Sequence, residues 1–252
     1  ALSAANKISS FLKEFGTAMV KVDEITNTVQ STLKNMAQMS AFIEKMLLDF
    51  KLPSFTKEEQ DKIIKSHQQW GTFGWTWLSA APFNFYNIPP LNIHDANTKA
   101  EKYCSTEEME KTFQKLRTYK IQQDDLESAI WLFQNRQYKA CALLLFTLID
   151  AILIQNQKAN KREVGKKAVN ALKAQTEGSD EIKIFFMLLR YSNLFACLEA
   201  LFANGKNFEN EPVVINRNFI CHGMSNRHVD KLDCIQLFFV LKNLSQLVEN
   251  EC

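Results

Sequence analysis

The chain has 252 residues, of which 46% are hydrophobic and 23% are charged, and its formal net charge is +2. This composition is that of a globular protein with one large or two small domains, and it excludes a disordered or collagen-like chain. With so small a net charge, any site for a polyanion such as RNA must be local. Seven glycines and five prolines are few for a sheet with many tight turns, so we predict an all-α fold.

The six cysteines show neither a C-x-x-C pair nor the spacing of a zinc site. No segment has the pattern of a signal peptide, and no apolar run is long enough to span a membrane. We therefore expect a reducing, cytoplasmic location, no membrane span, and no bound metal or cofactor.

Apolar side chains recur every three or four positions over residues 4–50, which predicts a long amphipathic helix. Pro53 is expected to end it. Thr56 and Glu59 have the spacing of a reciprocal capping box, which predicts a second helix that extends to about Gln69.

Residues 70–77 hold three of the four tryptophans together with two glycines. Aromatic side chains can stack on nucleic-acid bases, but tryptophans more often fill a core, and we favour the core. Residues 83–97 are bordered and interrupted by prolines, which predicts an irregular linker. Ser105 is expected to open a further helix to about residue 120. We place a domain boundary there, between a helical region over residues 1–120 and a helical bundle over residues 121–252.

The second half is predicted to be a bundle of four to five helices with short connections, which suit antiparallel neighbours. The four main helices are expected over residues 125–135, from residue 138 onward, over residues 180–202 and over residues 229–249. Pro212 suits a first helical position and Gly223 suits a residue just past a last turn, so a short helix should run between them. Ser225 or Asn226 is the expected cap of the last helix.

The one compact set of polar residues with catalytic potential lies in residues 213–223, among apolar side chains. It consists of Arg217, Asn218 and His222. Five residues of an ideal helix turn through about 500°, so Arg217 and His222 cannot share one face of a long helix. The spacing instead fits a site at the end of a short helix. A histidine in such a position can exchange protons near neutral pH.

Taken together, the Arg-Asn-x-x-x-His-Gly string, the Arg-Gln-Tyr start of an apolar helix and the helix order resemble the HEPN superfamily over residues 124–249. The resemblance implies a metal-independent endoribonuclease, in which a homodimer brings two copies of the motif into one cleft. His222 would act as general acid and base, Arg217 would bind the scissile phosphate, and Asn218 would orient the phosphate or the histidine. Cleavage would leave a 2′,3′-cyclic phosphate. Residues 1–120 carry no comparable resemblance.

Asp150 lies in an otherwise apolar stretch, where an unpaired carboxylate is costly. We expect it to pair with Arg217, and Glu199 is a second candidate partner. Such a pair could be purely structural, since the HEPN superfamily includes inactive members. A cluster of basic residues is either an RNA-binding patch or a solvated surface. Its members are Lys158, Lys161, Arg162, Lys166 and Lys167.

Three functional interpretations follow from these patterns. The first is a ribonuclease of a phage-defence or toxin–antitoxin system, with RNA as substrate and an inhibitory, antitoxin-like protein as partner. The second is a non-catalytic HEPN module that binds RNA, a nucleotide or a protein. The third is a helical interaction protein organised by the predicted helix over residues 4–50.

Overall fold

The computed structural model describes residues 56–158, 162–177 and 185–250, so the predicted helix over residues 4–50 and its end at Pro53 lie outside the described residues. The described part contains nine α-helices and no β-strand, which confirms the predicted all-α fold. Apart from the first turn of α1, the description below concerns the compact unit formed by residues 61–81 and the described residues from 86 onward. The helices are α1 Lys57–Thr72, α2 Ile93–Glu101, α3 Thr106–Arg117, α4 Gln123–Gln134, α5 Tyr138–Gln155, α6 Lys166–Glu177, α7 Phe185–Leu201, α8 Arg217–Cys221 and α9 Lys231–Asn250.

Helix α5 is the central helix of this unit. It packs against α4, α6, α8 and α9, and most of its large apolar side chains are buried. With a mean hydropathy of 1.7 over 18 residues, α5 is long and apolar enough to cross a membrane by length and composition. Its contacts with four neighbouring helices place it in the core of the bundle.

Helix α9 is buried along residues 233–245 and packs against α3, α5 and α7. Two of its polar side chains bind the tryptophan-rich segment. Asn243 donates through Nδ2 to the Thr76 hydroxyl at 3.1 Å, and Gln236 donates through Nε2 to the Phe73 carbonyl at 3.1 Å. Because buried polar groups are costly unless they are bonded, these contacts fix the segment against α9.

Two of the three tryptophans in the tryptophan-rich segment lie in the core, as predicted, whereas Trp77 is half-buried. Trp70 and Trp75 are fully buried. Their indole N–H groups donate to the Ile88 carbonyl at 3.0 Å and to Asn97 Oδ1 at 2.8 Å. Both rings are therefore enclosed by the protein, and neither can serve as a platform for a nucleic-acid base.

The prediction of an irregular segment over residues 83–97 is wrong for residues 83–87, which form a 3₁₀ helix, and for residues 93–97, which belong to α2. Asn92 Oδ1 accepts a hydrogen bond from the Asp95 backbone N–H at 3.0 Å, which caps α2 at its start. Before this cap, the segment is anchored to α1, because the Gln69 side chain donates to the Pro90 carbonyl at 2.8 Å. The prolines end at residue 90, and regular helix begins three residues later.

The predicted capping box at the start of α1 is confirmed. The Thr56 N–H donates to Glu59 Oε2 at 2.9 Å, and the Glu59 N–H donates to Thr56 Oγ1 at 3.2 Å. For α9 the predicted cap is wrong. The cap is instead Asp230, whose Oδ1 accepts from the Asp233 N–H at 3.1 Å, and Asp233 Oδ2 accepts from the Asp230 N–H at 3.0 Å. The predicted caps Ser225 and Asn226 both donate to the Glu211 carboxylate.

The sequence pattern also missed α6 as a separate helix, although its apolar positions have helical spacing. The domain boundary near residue 120 stays a prediction. On either side of that position the helices pack together, since the Phe113 ring lies edge-on to Phe133 at 6.0 Å and to Phe238 at 4.9 Å.

Gly71 of α1 lies directly against the backbone of α7. A Cβ added there would stand 2.3 Å from the Asn193 carbonyl oxygen and 2.9 Å from the Cys197 nitrogen. Because backbone atoms cannot move aside cheaply, we expect Gly71→Ala to lower the free energy of unfolding by about 2 kcal/mol or more. Urea denaturation measures this. Gly165→Ala is the control, because a Cβ added there meets nothing within 4 Å. Only its left-handed φ of 58° is unfavourable for alanine, so the free energy of unfolding should fall by about 1 kcal/mol. Equal losses in the two variants would contradict this account of Gly71.

His67 of α1 is fully buried, with its Nε2 3.3 Å from Asn87 Oδ1. Burial lowers the pKa of His67 to about 4. The unfolded chain, with an ordinary histidine pKa of about 6.5, then binds the proton more strongly. Stability is therefore present above the unfolded pKa and falls as the pH decreases toward 4.

We expect the wild type to lose up to about 3 kcal/mol more than His67→Gln between pH 7 and pH 4, from the linkage between pKa and folding. Glutamine can still bind Asn87 but has no proton to gain. Urea denaturation of both proteins at the two pH values measures the difference. The same loss in both would mean that His67 does not titrate in this range.

Candidate active site

Helix α8 begins at Arg217 and not at Pro212 as predicted, because Asn216 caps it. Asn216 Oδ1 accepts from the backbone N–H groups of Asn218 at 3.0 Å and Phe219 at 3.3 Å. Its Nδ2 donates to the Ala203 carbonyl at 3.0 Å. One buried side chain thus starts α8 and ties it to the segment that follows α7. The free N–H groups of a helix start need such an acceptor, and asparagine is among the best.

The end of α8 agrees with the prediction for Gly223. This residue has a φ of 70°, and its N–H donates to the Ile220 carbonyl at 3.2 Å. The Met224 N–H donates to the Phe219 carbonyl at 2.8 Å. These two bonds form a Schellman motif, which makes His222 the last residue before the chain turns away.

Arg217 forms an ion pair with Asp150 in the C-terminal half of α5. Arg217 Nε lies 2.9 Å from Asp150 Oδ2. The exposed fraction is 26% for the arginine side chain and 15% for the aspartate side chain. The pair is therefore partly shielded from water, and about a quarter of the arginine side chain stays exposed.

The ion pair uses only part of each group. Among the described residues, neither Nη of Arg217 has a hydrogen-bond partner, and Asp150 Oδ1 is buried without one. Burial raises the pKa of Asp150 above its ordinary value, while the charge and hydrogen bond of Arg217 lower it. Since the Nη groups carry four N–H donors, the guanidinium can bind an anion while Asp150 holds its Nε.

Asn218 is partly committed to the fold. Its Nδ2 donates to the Ala203 carbonyl at 3.1 Å, which is the same oxygen that Asn216 binds. Asn218 therefore holds α8 against the end of α7. This hydrogen bond is a structural reason for an asparagine at position 218, and it requires no role in binding a phosphate.

His222 is exposed at the end of α8. Its ring lies edge-on to Phe208, with 5.7 Å between the ring centroids and 66° between the planes. Within the described residues, no side chain forms a hydrogen bond or ion pair with the imidazole. The ring thus contacts one aromatic side chain, and the exposure of His222 leaves the imidazole accessible to a ligand.

The remaining predicted residues take no part in this ion pair. Glu199 is not a partner of Arg217, because its Oε1 accepts from Lys173 Nζ at 2.6 Å. The predicted basic patch lies between the end of α5 and the start of α6, and its described members are exposed. Those members are Lys158, Arg162, Lys166 and Lys167, whereas Lys161 lies outside the described residues.

Two residues that support the site were missed by the sequence pattern. Asn216 directly precedes Arg217, and an asparagine just before a short helix is a cap signal that could have been recognised. Phe208 lies fourteen positions before His222, and no local pattern connects the two. In the described part of the chain, no three or more His, Cys, Asp or Glu side chains are grouped so as to hold a metal ion.

Removal of Arg217 would leave the shielded carboxylate of Asp150 without a counter-charge. We expect Arg217→Ala to lower the free energy of unfolding by about 2 kcal/mol at pH 7, since both side chains keep some exposure. The same change in an Asp150→Asn background should cost less than about 1 kcal/mol, because no charge is left unpaired. Urea denaturation of the four proteins gives the coupling free energy, and additive losses would contradict the pairing.

The pH dependence provides a second measurement on the same proteins. Because burial raises the folded-state pKa of Asp150, its protonation stabilises the folded state at low pH, and this contribution is lost as the pH rises. Without Arg217 the carboxyl is protonated still more readily. The loss caused by Arg217→Ala should therefore be smaller at pH 4 than at pH 7, and an equal loss would contradict the charge argument.

The site therefore combines a partly exposed, carboxylate-bound arginine with an exposed histidine at the two ends of a five-residue helix. Comparisons with known proteins find no matching family model, no matching curated protein and no matching solved structure. The resemblance to HEPN nucleases depends on the motif and on the helix order.

Proposed function

We propose that the protein is a metal-independent endoribonuclease whose reaction centre contains Arg217 and His222. The observation that carries the proposal is that Asp150 holds Arg217 through Nε alone. Both Nη groups are without a partner among the described residues, and His222 follows at the other end of α8. An arginine with free Nη groups can bind a phosphate through two parallel hydrogen bonds.

In the proposed reaction, neutral His222 takes the proton of a ribose 2′-hydroxyl as the 2′-oxygen attacks phosphorus. The bond between phosphorus and the 5′-oxygen then breaks, and an imidazolium gives the leaving oxygen its proton. Arg217 stabilises the negative charge that develops on the phosphate oxygens. The products are a 2′,3′-cyclic phosphate and a 5′-hydroxyl, and none of these steps requires a metal ion.

We infer that the active form is a homodimer, because the reaction uses both a base and an acid. We also propose a cytoplasmic location, on the basis of the cysteine pattern. One chain offers a single His222 at this site, so a second copy of the motif would supply the other group. The exposed basic residues between α5 and α6 are proposed to bind the RNA backbone, since their charges can neutralise phosphates. A nuclease of this kind fits phage defence or a toxin–antitoxin pair, with an inhibitory protein partner.

A second candidate function is a non-catalytic module that binds RNA, a nucleotide or a protein. The observation that favours it is that two of the three motif residues already have structural partners. Asp150 neutralises Arg217, and the Asn218 side chain is bound to the Ala203 carbonyl. In this case α8 would be retained for its packing against α5 and α7.

Incubation with total cellular RNA in excess chelator distinguishes the two functions. We expect the wild type to cleave RNA and to leave 2′,3′-cyclic phosphate ends, and His222→Ala to lower the rate by about 100-fold or more, as for loss of a general acid or base. Arg217→Lys keeps the charge but loses the forked pair of donors, so its rate should also fall.

His228→Ala is the matched control, because His228 is also exposed and lies only six residues from His222. Its rate should equal that of the wild type. Absence of cleavage by folded, dimeric wild type would reject the nuclease in favour of the non-catalytic module. Cleavage that survives His222→Ala would show that another group carries the reaction.

A further inference from the structure

Phe208 contacts both His222 and the buried ring of Phe219. Its ring is edge-on to Phe219, with 5.3 Å between centroids and 83° between planes, and edge-on to His222 at 5.7 Å. The side chain is only half-buried. Among the described residues, no ring stacks parallel to Phe208.

The backbone that presents this ring is unusual. The 3₁₀ turn Lys206–Phe208 has left-handed φ angles of 52° at Asn207 and 60° at Phe208. Asparagine adopts this region readily, but a bulky residue such as phenylalanine rarely does. Arg136 has the same φ of 60°, but it directly follows the end of α4, where left-handed residues are common. Phe208 ends no α-helix, so its conformation needs another explanation.

The loop is built to keep the ring at this place. Gly205 lies so close to the Phe219 ring that an added Cβ would overlap it, and the Phe208 N–H donates to the Gly205 carbonyl at 2.8 Å. Burial of apolar surface alone does not account for the arrangement, since the ring stays partly exposed. Unfavourable backbone conformations persist mainly where they serve a site, and this one orients an aromatic ring toward His222.

We propose that Phe208 stacks on the nucleobase next to the scissile phosphate, so that the substrate is single-stranded RNA. This inference rests on the proposed roles of Arg217 and His222. Proteins read single-stranded RNA by splaying bases apart and stacking them on aromatic side chains. In a duplex the bases are stacked on each other, and the ring could not reach one. Phe208 is thus a substrate-binding residue that selects unpaired nucleotides.

The test measures binding, so that it does not depend on cleavage. The first probe is a fluorescent uridine octamer with 2′-O-methyl groups, which has no free 2′-hydroxyl to attack phosphorus. The second is an octamer of the same length and charge in which abasic residues replace the uridines. Fluorescence anisotropy gives Kd for the wild type, Phe208→Leu and Phe208→Trp.

We expect Phe208→Leu to weaken binding of the uridine octamer by about 5- to 100-fold, the range for loss of one stacked base. Its Kd for the abasic octamer should equal that of the wild type. Phe208→Trp should restore uridine binding, which a merely structural role would not predict. Trp131→Leu is the control for loss of another exposed aromatic side chain, since Trp131 is 60% exposed, and should change neither Kd.

Equal weakening of both octamers by Phe208→Leu, or no weakening of either, would overturn the stacking role. Circular dichroism checks that the variants are folded. The outcome is separable from that of the proposed function. Base-dependent binding without RNA cleavage would mean that the stacking site belongs to a non-catalytic module. Cleavage with base-independent binding would reject only the stacking role of Phe208 and would leave the proposed nuclease in place.

Discussion

A carboxylate within an apolar helix is stable only when something compensates for its loss of water. In this chain Asp150 on α5 meets that requirement through Arg217, which lies 67 positions later. The contact fixes α8 against the central helix and holds the guanidinium group at its Nε. Burial raises the pKa of the Asp150 carboxyl and the ion pair lowers it, and burial is the larger effect. The site is thus joined to the core by a contact that costs stability unless both partners are present.

Two asparagines complete the support of α8 by binding one carbonyl oxygen. Asn216 and Asn218 both donate to the Ala203 oxygen, and Asn216 also accepts the first N–H groups of the helix. A five-residue helix has too few internal hydrogen bonds to be stable alone. Its caps and its contacts with α5 and α7 therefore determine where Arg217 and His222 lie. The start of α8 is fixed by the buried side chain of Asn216, and its end is fixed by the turn at Gly223.

The parts of the fold that follow local rules could be predicted from the sequence. Helical spacing predicted the bounds of α4, α5, α7 and α9 to within a few residues, as far as the described residues show. The cost of an unpaired buried charge predicted the contact of Asp150 with Arg217. The errors in helix starts arose where two local sequence patterns pointed to different structures. Prolines hid the start of α2, and Ser225 looked like a cap although Glu211 binds it instead.

Other features had no local signal. Phe208 reaches His222 only through a left-handed turn that the sequence does not reveal.

The docking of the tryptophan-rich segment on α9 also has a consequence for folding. Gln236 and Asn243 bind residues that precede them by 163 and 167 positions. Contacts of such high sequence separation slow folding, because a long loop must close before they form. During synthesis the segment cannot take up its final packing until α9 has left the ribosome. The described residues before α4 therefore complete their core only after α9 has been made.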